Sequence, residues 1–214
     1  MNQRQEILRS ALVKEFGNGI SYPNSIAPED LAGAVLTCEV LRTYRRLGGI
    51  GQVPLTFGKW DIPLNNFIVE LDEEQHFNRY RAMTFNSFIY HMEKCFEVTD
   101  YLKYCSDFEN TCLKKSSWGK YWTSPSTEKQ FSLPGTNGNL EKDGSPRWRQ
   151  RAFYDYLRDV FAMVYRIPVI RVSIYDRLII NGRIKTIDAI LCNNLPTELN
   201  ELVKFITLKA AKVL

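Results

Sequence analysis

The fold of this chain is decided by residues 60–76, which read WDIPLNNFIVELDEEQH. The turn-forming run Pro63-Leu64-Asn65-Asn66 lies between segments rich in β-branched and aromatic residues, a pattern that predicts a β-hairpin. Asp61 is predicted to lie on its first strand. Because side chains alternate along a strand, Glu70 and Asp72 are predicted to share one face of the second strand. Two carboxylates are therefore expected to project together.

Periodic apolar patterns outside this segment predict helices and one further strand. Apolar residues at three- and four-residue spacing predict helices over residues 3–16, 28–47, 148–164 and 196–214. The alternating run at 168–174 predicts a strand directly after the third helix. Residues 80–112 are predicted to be helical in pieces, and residues 113–146, rich in Ser, Thr, Gly, Pro and Lys, to form a loop or mobile insertion. The sequence therefore predicts a mixed α/β fold.

Length and composition indicate a single globular domain over residues 1–214. Of the 214 residues, 44% are hydrophobic and 24% are charged, which is typical of a packed core and excludes a disordered or fibrous chain. No run approaches the ~18 apolar residues of a membrane span, and residues 1–19 are too charged for a signal peptide. Five cysteines without a Cys-x-x-Cys pair favour a reduced compartment. We expect a soluble, intracellular, cytoplasmic protein with no membrane contact.

The charges are unevenly distributed along the chain. The formal net charge of +4 permits a nucleic-acid partner without requiring one. Four acids lie within residues 70–74, whereas residues 147–188 hold nine Arg or Lys against four acids. A compact anionic site between basic flanks is therefore predicted.

Residues of the hairpin could hold a metal ion. Asp61 and Glu70, on neighbouring strands, could supply the hard oxygen ligands that Mg²⁺ or Mn²⁺ prefers. His76 follows the second strand, and its imidazole could accept a proton from an attacking water molecule. The alternative is that these acids are solvated, as most charged residues are. An acid in a strand that looks buried is costly without a metal or a functional role. The three residues therefore favour a phosphodiesterase.

The same segment resembles the PD-(D/E)XK nuclease superfamily, and within it the branch similar to very-short-patch-repair endonucleases. That branch carries an Asp, a hairpin and then a strand end like Glu-x-Asp-Gly-x-Gln-His. The matching residues here are Asp61 and the run Glu70-Leu71-Asp72-Glu73-Glu74-Gln75-His76. The resemblance extends to residues 39–49 and to about 149–174, and so covers roughly half of the chain.

The resemblance implies a restriction-endonuclease-like αβββαβ core. Its first half would be residues 27–76 and its second half 148–214, with an insertion at 77–147 and an N-terminal helical extension at 1–26. Mg²⁺ or Mn²⁺ would be held by Asp61, Glu70 and the Leu71 carbonyl, and the activity would be endonucleolytic hydrolysis of phosphodiester bonds in DNA.

The resemblance also suggests roles for neighbouring polar residues. Asp72 stands where the superfamily has its motif lysine, so the positioning of water would pass to His76, to Gln75 or to a second metal ion. Glu73 replaces the glycine that usually follows. Glu39, on the preceding helix, is either an additional acidic ligand or a solvated helix acid.

Basic residues supply candidate contacts to nucleic acid. Arg79 and Arg81 could clamp phosphate or could offset the nearby acids. Further candidates are Arg147, Arg149, Arg151, Lys114, Lys115 and Lys120, interleaved with aromatic residues that suit base stacking. The alternative for 113–146 is a solvated loop of mixed charge.

Two other functions stay open. The missing motif lysine favours a catalytically silent nucleic-acid-binding or interaction protein on the same scaffold, and nothing separates a DNA nuclease from an RNA-processing one. A homodimer also stays open.

The cysteines do not favour a structural zinc site. His91, Cys95, Cys105 and Cys112 number four potential ligands, but they lack the Cys-x-x-Cys spacing of zinc knuckles. Structural Zn²⁺ is therefore not expected, and buried free thiols are the preferred interpretation. Cys38 and Cys192 are predicted to be core residues.

Overall fold

The computed structural model describes residues 3–31, 33–91 and 96–212. The helices are α1 (Gln3–Phe16), α2 (Ala34–Arg46), α3 (Arg79–Thr84), α4 (Val98–Asp107), α5 (Glu109–Ser116), α6 (Pro125–Phe131), α7 (Pro146–Tyr165), α8 (Ile187–Asn193) and α9 (Pro196–Ala211). The strands are β1 (Ile62–Pro63), β2 (Ile68–Asp72), β3 (Val169–Ser173), β4 (Arg177–Ile180) and β5 (Arg183–Thr186). The predicted mixed α/β class is confirmed. No helix in these ranges is both long and apolar enough to cross a membrane.

The predicted hairpin forms and becomes part of a three-stranded sheet. β1 pairs antiparallel with β2, and the amide of Leu64 donates a 2.9 Å hydrogen bond to the carbonyl of Phe67 across the turn. β2 pairs in parallel with β3, which places Glu70 opposite Arg171. Asp61 lies one residue before β1, so the prediction that it lies on the strand is wrong by one position. Every residue of β2 and β3 is buried, as expected for a central parallel pair.

Helix α7 connects the two parallel strands and lies against the sheet. Pro146 begins the helix, and the side chain of Ser145 accepts a hydrogen bond from the amide of Trp148, which caps its first turn. Phe153, Leu157 and other apolar side chains of its predicted stripe are fully buried. α7 also carries the buried acids Asp155 and Asp159, which it places against the sheet.

The αβββαβ core implied by the resemblance is found only in part. The described residues contain α2, the β1–β2 hairpin, α7 and β3 in that order, but no third strand ahead of α7. An isolated β-bridge between Ser25 and Thr56 is the only other strand-like pairing before the hairpin in the described ranges. The mixed α/β architecture is therefore established, and the finer resemblance stays a prediction.

The prediction of a loop over residues 113–146 is confirmed for residues 132–145, which form no helix or strand, and is wrong for most of the preceding part. Helix α5 extends to Ser116, and α6 begins with a capping box in which Ser124 and Thr127 exchange hydrogen bonds. Trp122 and Phe131 are 0% and 1% exposed. A few buried aromatic side chains therefore anchor a segment whose composition is typical of a loop.

Other boundaries also differ from the sequence prediction. α2 begins at Ala34, because Pro28 starts only a short 3₁₀ turn, Pro28–Asp30. The β4–β5 hairpin and α8 were not predicted. In β4 burial alternates: Leu178 and Ile180 are buried, whereas Ile179 is 76% exposed, and Ile184 of β5 is 68% exposed.

The two terminal helices form where the sequence predicts them and pack together. α1 contacts both α8 and α9, and its Leu8 and Leu12 are fully buried. α1 also reaches the start of the hairpin, so the N-terminal segment belongs to the core and to the surroundings of Asp61.

Candidate functional site

Asp61 and Glu70 lie together at the start of the hairpin, as predicted. The amide of Leu71 donates to Asp61 Oδ2 over 3.0 Å, and the amide of Asp61 donates to Glu70 Oε1 over 2.9 Å. From α1, Gln5 donates to Asp61 Oδ1 over 2.9 Å, and the guanidinium of Arg9 donates to the carbonyl of Asp61. The Glu70 carboxylate is therefore held by the backbone of Asp61, and the Asp61 carboxylate by the backbone of Leu71, the residue after Glu70.

Burial changes the protonation of this pair. It raises the pKa of Asp61 to about 6 and that of Glu70 to about 8. The negative charge of Asp61 raises the pKa of Glu70 further, whereas Arg158 opposes the shift. Near neutral pH the pair therefore retains a proton that ordinary surface carboxylates would have lost.

Arg158 of α7 connects this pair to a second group of acids. Its Nε lies 3.1 Å from Glu70 Oε2 and its Nη1 lies 3.3 Å from Asp155 Oδ1. The guanidinium also lies over the rings of Phe57 and Trp60, at 5.5 and 5.8 Å from their centroids. Arg158 therefore occupies a fixed position beside the predicted metal ligands.

His76, Asp72 and Asp155 form the second group. Nδ1 of His76 lies 2.7 Å from Asp155 Oδ2 and 3.3 Å from Asp72 Oδ1. Potential ligand atoms of all three residues lie within 4.8 Å of one another. Burial opposes ionisation of Asp155, but His76 and Arg171 hold its pKa well below the usual range. An ionised carboxylate only accepts, so Nδ1 of His76 carries the proton and Nε2 is left as the basic nitrogen.

Two buried side chains, Arg171 and Tyr101, donate hydrogen bonds to the acids of this group and to Asp159. Arg171, which is 0% exposed, donates from Nη1 to both oxygens of Asp72 over 2.9 and 3.0 Å, and from Nε to Asp159 Oδ1 over 2.6 Å. Tyr101 donates its hydroxyl proton to Asp72 Oδ2 over 3.0 Å. Arg158 lies between Glu70 and Asp155, and His76 lies between Asp72 and Asp155. Glu70 and Asp72 therefore approach the same residue, as expected of two side chains on one face of β2.

The prediction that Arg81 contacts phosphate is wrong. Its side chain is 1% exposed, and its guanidinium donates to Asp159 over 2.8 Å and to Tyr90 over 2.9 Å. The alternative, that it offsets acids, is the one observed. Arg79 is exposed, but it too is ion-paired, with Glu109 at 2.6 Å.

The remaining basic candidates differ widely in their surroundings. Arg147 donates to Gln150, and Arg149 donates to the carbonyls of Leu47 and Lys142, so both have local structural partners. Arg151 has no such partner in the described part of the chain.

The lysines lie on the surface. Lys114, Lys115 and Lys120 are all exposed. Lys120 lies 5.4 Å from the ring centroid of the exposed Tyr121, and Trp118 is 69% exposed, whereas Trp122 is buried. Of the predicted aromatic residues, Trp118 and Tyr121 are therefore available for stacking and Trp122 is not.

Three other predicted residues take distinct positions. Glu39 is only 2% exposed, so the interpretation as a solvated acid is wrong; Arg42 donates to it over 2.5 Å. Glu39 does not belong to the Asp72–His76–Asp155 group. Gln75 lies partly buried in the 3₁₀ turn Glu74–His76. Leu71 takes part through its amide, which bonds Asp61.

Four residues of the network were missed by the sequence analysis: Asp155, Arg158, Asp159 and Arg171. A signal for them exists in the sequence. The first three interrupt the apolar stripe of α7, and Arg171 interrupts the apolar run of β3. Charged residues inside buried elements are rarely tolerated without partners, so such interruptions mark a polar network.

Of the four described cysteines, two are buried and two are exposed. Cys105 and Cys112 are buried free thiols, as preferred from the sequence, and burial raises the pKa of each to about 12. Cys95 lies outside the described residues. Cys38 and Cys192 are exposed, so the prediction that they are core residues is wrong.

The fold and the site together define a mixed α/β protein with a buried network of carboxylates and arginines at one end of its sheet. The chain belongs to a family of unknown function (DUF7255), whose profile matches residues 42–193. That range includes the whole network from Asp61 to Arg171, whereas α1 lies outside it. No match was found among curated proteins or among solved structures.

Proposed function

We propose that the protein is a divalent-metal-dependent endonuclease that hydrolyses phosphodiester bonds, with DNA as its substrate class. The supporting observation is a charge imbalance inside the network. It joins the five carboxylates of Asp61, Glu70, Asp72, Asp155 and Asp159 to four basic side chains, those of His76, Arg81, Arg158 and Arg171. Buried carboxylates in excess of basic groups are costly, and either a retained proton, as on Glu70, or a divalent cation would restore the balance.

The donor types fit such an ion. Asp61 and Glu70 would hold Mg²⁺ or Mn²⁺ through carboxylate oxygens, and burial, which raises the pKa of both, disfavours their charged forms in the absence of a cation. When bound, the ion would neutralise charge on the phosphodiester and lower the pKa of a bound water molecule. Arg158, between Glu70 and Asp155, would supply a fixed positive charge although the motif lysine is replaced by Asp72.

His76 is the candidate general base. Its Nδ1–H donates to the ionised Asp155, which fixes the ring and leaves Nε2 to accept a proton from water. Nε2 forms no hydrogen bond within the described ranges, and the side chain is 18% exposed, so solvent reaches the ring. Asp72 and Gln75 would support His76, from the second strand and from the 3₁₀ turn.

A cleavage assay tests this function. Purified protein is incubated with single-stranded DNA, double-stranded DNA and RNA in Mg²⁺, Mn²⁺ or EDTA, beside Asp61→Asn and His76→Ala. We expect metal-dependent cleavage, abolished in Asp61→Asn and reduced about a hundred- to ten-thousandfold in His76→Ala. The matched controls are Asp107→Asn and His91→Ala, which change exposed residues. Cleavage in EDTA, or cleavage by Asp61→Asn at the wild-type rate, contradicts the proposal; preferential cleavage of RNA identifies the RNA-processing alternative.

A catalytically silent binding protein is the second candidate, and one observation favours it. Arg171 already holds both oxygens of Asp72, and Arg158 already contacts Glu70 and Asp155, so protein groups close most of the network. Metal-independent binding of nucleic acid without cleavage by the wild-type protein in any of these conditions supports this candidate.

A further inference from the structure

A polar cavity of about 500 Å³ opens beside the network and shares Gln75 with the residues assigned to the candidate catalytic site. Residues of α1, of the 3₁₀ turn after β2, and of α5, α7 and α8 form its walls. The polar side chains that matter for its chemistry are Gln3, Arg4, Glu74, Gln75, Lys115 and Arg151. Three of these are cations, and the size of the cavity lies within the range of small-ligand sites.

The acids of this cavity are already neutralised. Glu74 Oε1 lies 3.1 Å from Arg4 Nη1 and 3.4 Å from Lys115 Nζ. Glu73 Oε1 lies 3.5 Å from the same Arg4 nitrogen, and Arg4 also contacts Asp188 over 2.6 Å. Arg4 and Lys115 are therefore engaged with carboxylates of the protein.

Arg151 is different. No hydrogen bond or ion pair reaches its guanidinium from any residue in the described ranges, although the side chain is half-buried. Burial lowers its pKa, because a low-dielectric surrounding disfavours the charged form. The acid that most raises its pKa, Asp155, is already bonded to His76 and Arg158. A half-buried cation at the wall of a cavity, with no partner among the described residues, favours an external anion.

We propose that this cavity binds a phosphate group, with Arg151 as its anchoring cation and the amides of Gln3 and Gln75 as further donors. A guanidinium presents paired N–H donors that match phosphate oxygens. If the phosphate is part of a nucleic-acid strand, this inference rests on the proposed function; if it is a free phosphate, it does not. Arg151, Asp155 and Arg158 follow one another at four- and three-residue intervals on one face of α7, so the backbone positions of Arg151 and Asp155 are about 6 Å apart along the helix axis.

Binding of inorganic phosphate in EDTA tests the cavity without any need for catalysis. The dissociation constant is measured by calorimetry at fixed ionic strength for the wild type, Arg151→Met and the control Arg46→Met, which removes an exposed arginine. We expect the wild type and Arg46→Met to bind alike and Arg151→Met to bind about ten- to a hundredfold more weakly. Equal affinity in the wild type and Arg151→Met, or no binding by the wild type, overturns the proposal.

The unfolding temperature without phosphate separates binding from a structural role. Because Arg151 has no hydrogen-bond or ion-pair partner among the described residues, Arg151→Met is expected to be at least as stable as the wild type in phosphate-free buffer. A large loss of stability there identifies a structural arginine and contradicts the proposal.

A second titration distinguishes the sources of the phosphate. The same proteins are titrated in EDTA with a single-stranded oligonucleotide. Weaker binding by Arg151→Met assigns the cavity to a strand phosphate, and an effect on inorganic phosphate alone assigns it to a free phosphate. Absence of cleavage in the earlier assay leaves both titrations valid, so failure of the proposed function and failure of the cavity are distinguishable.

Discussion

Glu70 makes the stability of the metal-free protein depend on pH. Burial raises its pKa from 4.5 to about 8, so between these values the folded state binds more protons than the unfolded state. Stability is therefore expected to fall as pH rises through this window, by an amount on the order of a few kcal/mol, and to level off above it. Glu70→Gln cannot ionise, so urea unfolding in EDTA between pH 5 and pH 8 should show a shallower slope. The exposed control Glu97→Gln should keep the wild-type slope; an unchanged slope in Glu70→Gln refutes the assignment.

Arg171 is expected to be essential for folding rather than for contact with a substrate. It is 0% exposed and is shared by Asp72 and Asp159, so Arg171→Met leaves both carboxylates without this cation. The free energy of unfolding at neutral pH should fall by about 3–5 kcal/mol, measured by urea denaturation. The control Arg177→Met, on exposed β4, should change it little. Equal stability of the two variants would contradict the structural role.

For individual residues, the sequence predicts which acids lie close together but not which basic side chains neutralise their charge. Asp61, Glu70 and His76 lie in one short segment, so strand alternation and turn chemistry suffice to bring them to one end of the sheet. Their partners Arg158 and Arg171 come from distant elements, whose register is set by packing. For the same reason residue type alone could not separate Arg81, which neutralises Asp159, from Arg151, which has no ion-pair partner in the described part of the chain.

Among the elements, α1 is expected to be required for stability although it lies outside the family match. Leu12 is 0% exposed, and α1 packs on α8 and α9 while Gln5 bonds Asp61. Leu12→Ala should lower the free energy of unfolding by about 2–5 kcal/mol, because it leaves a cavity between these helices. Leu208→Ala, on the exposed face of α9, is the matched control. If denaturant unfolding gives the two variants equal stability, α1 is a peripheral attachment rather than part of the core.

Elements with a regular apolar period were predictable, and those without one were not. The periods of α1, α7 and β3 match their buried faces, so sequence and packing agree. Residues 113–146 fold through a few aromatic anchors and a capping box, which composition does not reveal. In β4 the run Leu178-Ile179-Ile180 is apolar throughout, so the sequence does not reveal that Ile179 is exposed while its two neighbours are buried.

At the scale of the whole molecule, the proposed function implies that proton binding and divalent-cation binding are coupled through Asp61 and Glu70. In the absence of metal, protons partly relieve the excess of carboxylates, because the pKa values of the pair are about 6 and about 8. A cation held by the same oxygens must displace those protons, so its affinity should rise with pH over this window. Mn²⁺ or Mg²⁺ should therefore raise the unfolding temperature more at pH 8 than at pH 6.

Differential scanning fluorimetry with and without EDTA measures this linkage. Asp61→Asn removes one proposed metal ligand and one of the two titrating carboxyl groups. The metal should therefore raise its unfolding temperature at pH 8 by less than it raises that of the wild type. The exposed control Asp107→Asn should respond as the wild type does. A shift that is equal at both pH values, or equal in Asp61→Asn and the wild type, would mean that the cation binds elsewhere. The charge imbalance of the network would then be relieved by protons alone, as a silent scaffold requires.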